Sequence, residues 1–197
     1  MRVVIPLVLL VTLTSACATI SGVASTRQSS AVTQDGEVRF LLGAGTLDKE
    51  TWEPTDKPVI LGAEYVRQEA DSWLGYELGT RLGMDTASES GVDLTLLTLE
   101  LYGGYHHTFL AESSFRPYLG AGAALVSATA DASDGFISVN DDDVTFGFYA
   151  HAGVACDLDG WVLGLDGRYL GGTDVDLFGG SWDVDMTQVC LFAGFGI

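Results

Sequence analysis

Over residues 144–170 the sequence VTFGFYAHAGVACDLDGWVLGLDGRYL changes character at every step, and this alternation limits the possible folds more than any other feature. Phe146, Phe148, Ala150, Ala152 and Val154 alternate with Gly147, Tyr149, His151 and Gly153. After Asp159-Gly160, Trp161, Leu163, Leu165 and Tyr169 alternate with Gly164, Asp166 and Arg168. A period of two belongs to a β-strand with two unlike faces. Asp-Gly between two such runs is the residue pair of a two-residue type I′ hairpin turn. Setting Leu158 opposite Trp161 brings Val154 to Leu165, Gly153 to Asp166 and His151 to Arg168. Apolar then meets apolar and polar meets polar, so the register is consistent across the hairpin.

Six more runs repeat the pattern. Val38, Phe40, Leu42 and Ala44 oppose Arg39, Gly43 and Gly45 in a strand at 37–46; Val59, Leu61, Ala63 and Tyr65 oppose Gly62 and Glu64 at 59–67. Tyr76, Leu78 and Leu82 oppose Glu77, Gly79 and Arg81 at 74–83; Leu97, Leu99 and Leu101 oppose Thr98, Glu100 and Tyr102 at 93–105. Leu119, Ala121, Ala123 and Leu125 oppose Tyr118, Gly120 and Gly122 at 117–127, and Val189, Leu191, Ala193, Phe195 and Ile197 share one face at 188–197. Eight strands with one apolar face close into an antiparallel up-and-down barrel. Glycine on the polar face fits a crowded barrel interior. The stretches 48–57, 86–92, 131–143 and 172–185 read as long connections, and 68–72, 110–114 and 159–160 as short ones. That alternation is the transmembrane-barrel pattern, with long loops outside the cell and short turns in the periplasm.

Net charge is −18, from 27 acids and 9 bases, which excludes a nucleic-acid partner because phosphate demands a basic surface. No apolar run outside the leader approaches the ~20 residues of a membrane-spanning helix. Residues 1–18 carry Arg2, an apolar core from Val3 to Leu13 and small residues before Cys17, the layout of a secretory signal peptide. Thr14-Ser15-Ala16-Cys17 is similar to a bacterial lipobox, which makes Cys17 the candidate lipidated residue; Ala16-Cys17-Ala18 also fits ordinary cleavage. Residues 19–35, rich in Ser and Thr, read as a flexible linker, and 36–197 as the barrel domain. Cys156 falls on the apolar face and Cys190 on the polar face, so both are expected as free thiols.

From residue 37 onward the chain resembles the small eight-stranded outer-membrane barrels, such as the OmpA transmembrane domain and OmpX. Arg116-Pro-Tyr-Leu-Gly-Ala-Gly-Ala-Ala-Leu125, Gly164-Leu-Asp-Gly-Arg-Tyr-Leu170 and Leu191-Phe-Ala-Gly-Phe-Gly-Ile197 carry the likeness. The resemblance implies a bacterial outer-membrane location. Such barrels commonly end on Phe or Trp; here Phe195 precedes the final Ile197 by two residues.

An eight-stranded barrel has an interior just wide enough for side chains. The polar-face charges Arg39, Glu64, Glu77, Arg81, Glu100, Asp166 and Arg168, with His151, therefore read as a plug, Arg168 neutralising Asp166 and neighbouring acids. Some related barrels are lipid A-modifying enzymes with His and Ser at the active site. Here His106 and His107 end a strand on the periplasmic side and no Ser-His-carboxylate set converges, so no catalytic residues are assigned. Trp73, Tyr105, Phe109, Phe115, Tyr118, Trp161 and Phe195 form the expected periplasmic girdle, with Phe136, Phe178 and Trp182 on the outer side. Sixteen of the 27 acids fall in the four long connections and their flanks, against Lys49 and Lys57 alone. Asp141, Asp142 and Asp143, with Asp183 and Asp185, offer clustered hard oxygen ligands for a weakly bound divalent cation; no other cofactor is expected. Outer-membrane lipid and lipopolysaccharide, whose phosphates are bridged by divalent cations, are the expected partners of a monomer. The alternatives are a cation- or ligand-binding surface barrel, a narrow channel, and a lipocalin-like soluble lipoprotein with its faces reversed.

Overall fold

The computed structural model describes residues 36–69, 72–89, 91–111, 113–134 and 137–197. The signal peptide, the lipidation candidate Cys17, the linker and Phe136 lie outside the described residues. Among the described residues ten strands form: β1 Glu37–Leu47, β2 Val59–Arg67, β3 Gly75–Glu89, β4 Val92–Thr108, β5 Phe115–Ser133, β6 Ser138–Leu158, β7 Trp161–Gly171, β8 Asp174–Leu177, β9 Gly180–Asp183 and β10 Met186–Gly196. A short helix, α1, spans Lys49–Trp52. Eight of the strands close an antiparallel barrel in the order β1-β10-β7-β6-β5-β4-β3-β2, and β8 and β9 form a separate hairpin. The β6–β7 register places His151 opposite Arg168, Gly153 opposite Asp166 and Val154 opposite Leu165, as the alternation requires. Asp159 and Gly160 both take positive φ, 48° and 96°, which makes their turn type I′.

Strand length departs from the sequence reading. β1, β2, β7 and β10 have 9 to 11 residues, the length that crosses a bilayer at barrel tilt, whereas β3, β4, β5 and β6 have 15, 17, 19 and 21. The expected connections at 86–92 and 131–143 are therefore mostly ladder: Glu89 pairs with Val92, and Ser133 with Ser138. The 172–185 connection contains β8–β9, and 48–57 contains α1. The four long strands raise a wall above one side of the barrel, at the end away from Glu37 and Gly196.

Polarity reverses along that wall. Lower down, Leu97, Leu99 and Leu101 on β4, Leu125 on β5, and Phe146 and Phe148 on β6 face outward and are between 36% and 65% exposed. Above them the outward positions become Thr95 and Asp93, Thr129 and Asp131, and Asp142 and Asn140, whose strands are in register. The inner face changes in the opposite sense, from Thr98, Glu100 and Tyr102 to the buried Leu96, and from Gly122 to Val126 and Ala128. A residue facing lipid must be apolar and one facing water must not, so the switch marks where the strands leave the bilayer.

Onto the apolar inner face of the wall folds a cap. Val175, Leu177, Val184, Met186, Leu47 and Trp52 share one buried cluster with Leu96 and Ala128, with Ala130 and Trp182 packed against it. Trp52 donates from its indole Nε1 to the Asp183 carbonyl at 2.5 Å, and the Trp52 and Trp182 rings lie 5.9 Å apart. Trp182 is thus drawn into the cap instead of joining an outer girdle. Phe178, 49% exposed, stays at the surface.

Candidate functional site

Every charged position expected inside is inside. Arg39, Glu64, Glu77, Arg81, Glu100, His151, Asp166 and Arg168 are all at most 4% exposed. Their strands place them by parity alone, because an inward position on a closed barrel has only other inward side chains to meet. At the end where β1 begins and β10 finishes, Arg39 donates to Glu37 at 2.5 Å and to Glu64 at 3.3 Å, and Arg116 bridges Glu37 at 2.9 Å and Asp157 at 2.6 Å. Arg39 also lies over the rings of Tyr118 and Phe192, 4.8 Å from each. Arg81 crosses the centre, donating to Gln188 at 2.7 Å and Asp166 at 2.8 Å. Tyr102 donates to Glu64 at 2.8 Å, and Gln188 to Glu100 at 2.5 Å.

The pairing of Arg168 with Asp166 does not form. Neighbouring even positions of β7 point the same way, but the shorter reach to Asp166 belongs to Arg81, Tyr118 and His151. Arg168 instead pairs with Glu100 at 2.9 Å and lies between Tyr102 and Tyr149, 4.2 Å from each ring centre. Cation–π contact with two rings partly replaces the water this guanidinium loses.

Glu77 is the hub of the lower half. Its Oε2 faces His106 Nδ1 at 2.8 Å and His151 Nε2 at 2.9 Å, and its Oε1 accepts from Tyr149 at 2.6 Å. His151 Nδ1 meets Asp166 Oδ2 at 2.7 Å. Both nitrogens of His151 thus face carboxylates, which only accept, so the ring carries two protons and a positive charge. His106 Nε2 meets the Thr108 hydroxyl at 3.2 Å, which can donate or accept, so a neutral ring suffices there.

Sequence reasoning placed His106 at a periplasmic strand end beside His107; its side chain is fully buried and stacked on Tyr118, ring centres 5.0 Å apart. Strand parity carries the missing signal, since His106 shares the face of Glu100 and Tyr102. His107, on the opposite face, bonds to the Trp73 carbonyl and packs against the Trp73 and Phe109 rings. Trp73, Tyr105, Phe109, Trp161 and Phe195 are exposed as a girdle requires, but Tyr118, 2% exposed, belongs to the interior. Cys190 is a buried free thiol, whereas Cys156 is disulfide-bonded. The parity argument excluded only a bond between these two, so free thiols hold at Cys190 alone.

Of the acidic residues proposed as cation ligands, the run Asp141 to Asp143 divides between two faces. Asp141 and Asp143 lie on the inner face of β6 and Asp142 on the outer, as alternation along a strand demands. Asp143 accepts the Asp176 amide at 2.8 Å and Asp141 the Phe178 amide at 2.6 Å, which docks β8–β9 on the wall. The Asp176 amide, with that of Val144, holds the Asp143 carboxyl below its ordinary range. Asp185 accepts from the Thr173 amide and hydroxyl and from the Tyr169 hydroxyl, and Asp183 from the Asp185 amide. Asp141, Asp143, Asp183 and Asp185 act as hydrogen-bond acceptors in and beneath the cap.

A closed, even-stranded antiparallel barrel with an apolar outside and a filled polar inside is a transmembrane β-barrel; a lipocalin-like barrel would have these faces exchanged. Solved structures share the fold. Neisserial surface protein A aligns with a TM-score of 0.57 at 14% identity, over 82% of this chain and 96% of that one. OprG of Pseudomonas aeruginosa aligns at 0.56 and 15%, over 84% and 97%. Ail, the attachment invasion locus protein of Yersinia pestis, aligns at 0.55 and 14%, over 82% and 96%. OprG is an outer membrane protein, and at these identities the likeness of all three to this chain is one of fold. No protein-family model and no curated protein matches the sequence.

Proposed function

We propose that this protein is a monomeric barrel of the bacterial outer membrane with a closed interior, and that it works through the acidic surface raised above the bilayer, in a structural or surface-interaction role. The observation that carries this reading is the filling of the barrel: Arg39, Arg81 and Arg168 cross it with their carboxylate partners, and the cap of Trp52, Val175, Leu177 and Val184 covers the outer mouth. A channel would need a continuous polar path, which these side chains occupy. The hydrogen-bond partners of His106 and His151 are Glu77, Thr108 and Asp166, inside the barrel, and this placement supports a non-enzymatic reading.

Exposed Asp93, Asp131, Asp142 and Asp174 make the outer surface a concentrator of cations, strongest at low salt. Divalent ions held there bridge the wall to lipopolysaccharide phosphate. The purified protein reconstituted in planar bilayers is expected to give no stable conductance steps, and its association with lipopolysaccharide is expected to fall on chelation with EDTA. Reproducible single-channel steps would remove the closed-barrel reading, and chelator-insensitive association would remove the cation bridge.

A further inference from the structure

We propose that Glu77, His106 and His151 form a binding site, inside the barrel, for one divalent transition-metal ion of the zinc class. Each residue offers one ligand atom, and the three lie within 4.8 Å of one another. Two imidazole nitrogens and one carboxylate oxygen are a donor set that suits zinc and is poor for calcium or magnesium, which take oxygen.

The backbone explains how they meet. His106, Gly120 and His151 occupy one row across β4, β5 and β6, each paired with the next. Strands two apart lie roughly 10 Å from each other, so two imidazoles on them approach only if the strand between carries no side chain at that row. Gly120 supplies this: a Cβ there would lie 1.9 Å from His151 Nε2 and 2.9 Å from Glu77 Oε2. Glu77 reaches the same point from β3, which pairs with β4.

Each ligand is already oriented by a second group. Asp166 holds His151 by Nδ1 at 2.7 Å and leaves Nε2 facing the centre. Tyr149 holds Glu77 by Oε1 at 2.6 Å and leaves Oε2. Thr108 meets His106 at Nε2, 3.2 Å away, and leaves Nδ1. A carboxylate or hydroxyl behind each ligand is the arrangement that surrounds metal-bound histidine and carboxylate. Charge agrees as well: counting Asp157 at the edge, the network sets Glu37, Glu64, Glu77, Glu100, Asp157 and Asp166 against Arg39, Arg81, Arg116 and Arg168, a deficit of two positive charges with neutral histidines.

Without metal, protons on the two histidines fill the space between their nitrogens and Glu77 Oε2. Metal binding releases the Nε2 proton of His151 to solvent, while the His106 proton moves from Nδ1 to Nε2 and donates to Thr108. The side chains of Glu77, His106 and His151 are 0% exposed, so the ion enters as the barrel closes and exchanges slowly afterwards.

The test refolds the full chain from denaturant into detergent with Zn2+ or Co2+, folding being checked by heat-modifiable migration and circular dichroism. One ion per chain is expected, resistant to EDTA in the folded barrel and lost on unfolding, with the intense visible bands of a nitrogen-ligated tetrahedral Co2+. His106→Gln and Glu77→Gln should weaken binding by about tenfold or more, whereas His107→Gln, altered outside the barrel, should bind as wild type does. A folded wild-type barrel that takes up no ion in excess metal overturns the site, as does equal uptake by His106→Gln. Should both ligand variants fail to fold, the wild-type spectrum decides: weak bands of an oxygen-only octahedral ion overturn the proposal.

Discussion

Arg81 shows what a buried charge does in this protein. It is 1% exposed and reaches Gln188 and Asp166, with Glu64 at 3.9 Å. Removing one partner of a buried pair strands the other in low dielectric, at a cost of about 3–5 kcal/mol. Arg81→Ala should therefore destabilise the barrel by about that amount in urea unfolding followed by gel migration. Asp166→Ala should do likewise, and the double variant should cost well under their sum, because the stranded charge is gone. Strict additivity would mean that the pair is solvated by water within the barrel.

At the scale of the element, β4 is informative because its two faces exchange polarity in mid-strand. In Val92-Asp-Leu-Thr-Leu-Leu-Thr-Leu-Glu-Leu-Tyr102 the alternation slips by one at Leu96-Leu97. Leu96 is 1% exposed and turned to the cap, while Leu97 is 36% exposed and turned outward. Leu101→Arg, a charge on the lipid face, should cost about 2–4 kcal/mol and impair assembly. Thr95→Arg, on the same face six residues away but above the slip, should change stability by no more than about 0.5 kcal/mol. Equal sensitivity of the two, measured by folding yield into lipid vesicles, would move the bilayer boundary. The doublet was available in the sequence, yet the alternation below it was strong enough to read residues 86–92 as a loop. The wall is not legible in the sequence because nothing local says that a polar-outside strand continues the same ladder.

For the whole molecule, the barrel and its cap are separable by topology. β8–β9 pairs only with itself, and the Val184 amide meets the Thr173 carbonyl at 3.0 Å, so the chain returns to where it left. Replacing residues 174–183 by two glycines should leave a heat-modifiable barrel, less stable through loss of the Val175 and Leu177 burial, each worth roughly 1.5–3 kcal/mol. Conductance should stay absent, since the charged network below the cap is untouched. A variant that conducts would assign closure to the cap alone.

The alternation by itself determined the number of barrel strands, their facing, the β6–β7 register and the inward placement of Arg39, Glu64, Glu77, Arg81, Glu100, His151, Asp166 and Arg168, because period-two side-chain direction is a local property of the backbone. It could not determine which inward charge meets which. Arg168 and Asp166 are neighbours on β7, but Asp166 is claimed by Arg81, from β3, and by His151, from β6. His106 joins Glu77 and His151 for a comparable reason: the meeting point exists only after β3, β4, β5 and β6 are placed side by side and Gly120 leaves its row open. The cap belongs to the same category. Asp174-Val-Asp-Leu-Phe-Gly-Gly-Ser-Trp-Asp183 has the alternation of a hairpin, but its apolar side finds partners only once Leu96 and Ala128 of the wall, with Leu47 and Trp52 from the start of the chain's barrel, are brought beside it. Distances across a closed barrel are set by strand order and stagger, and these are properties of the assembled sheet.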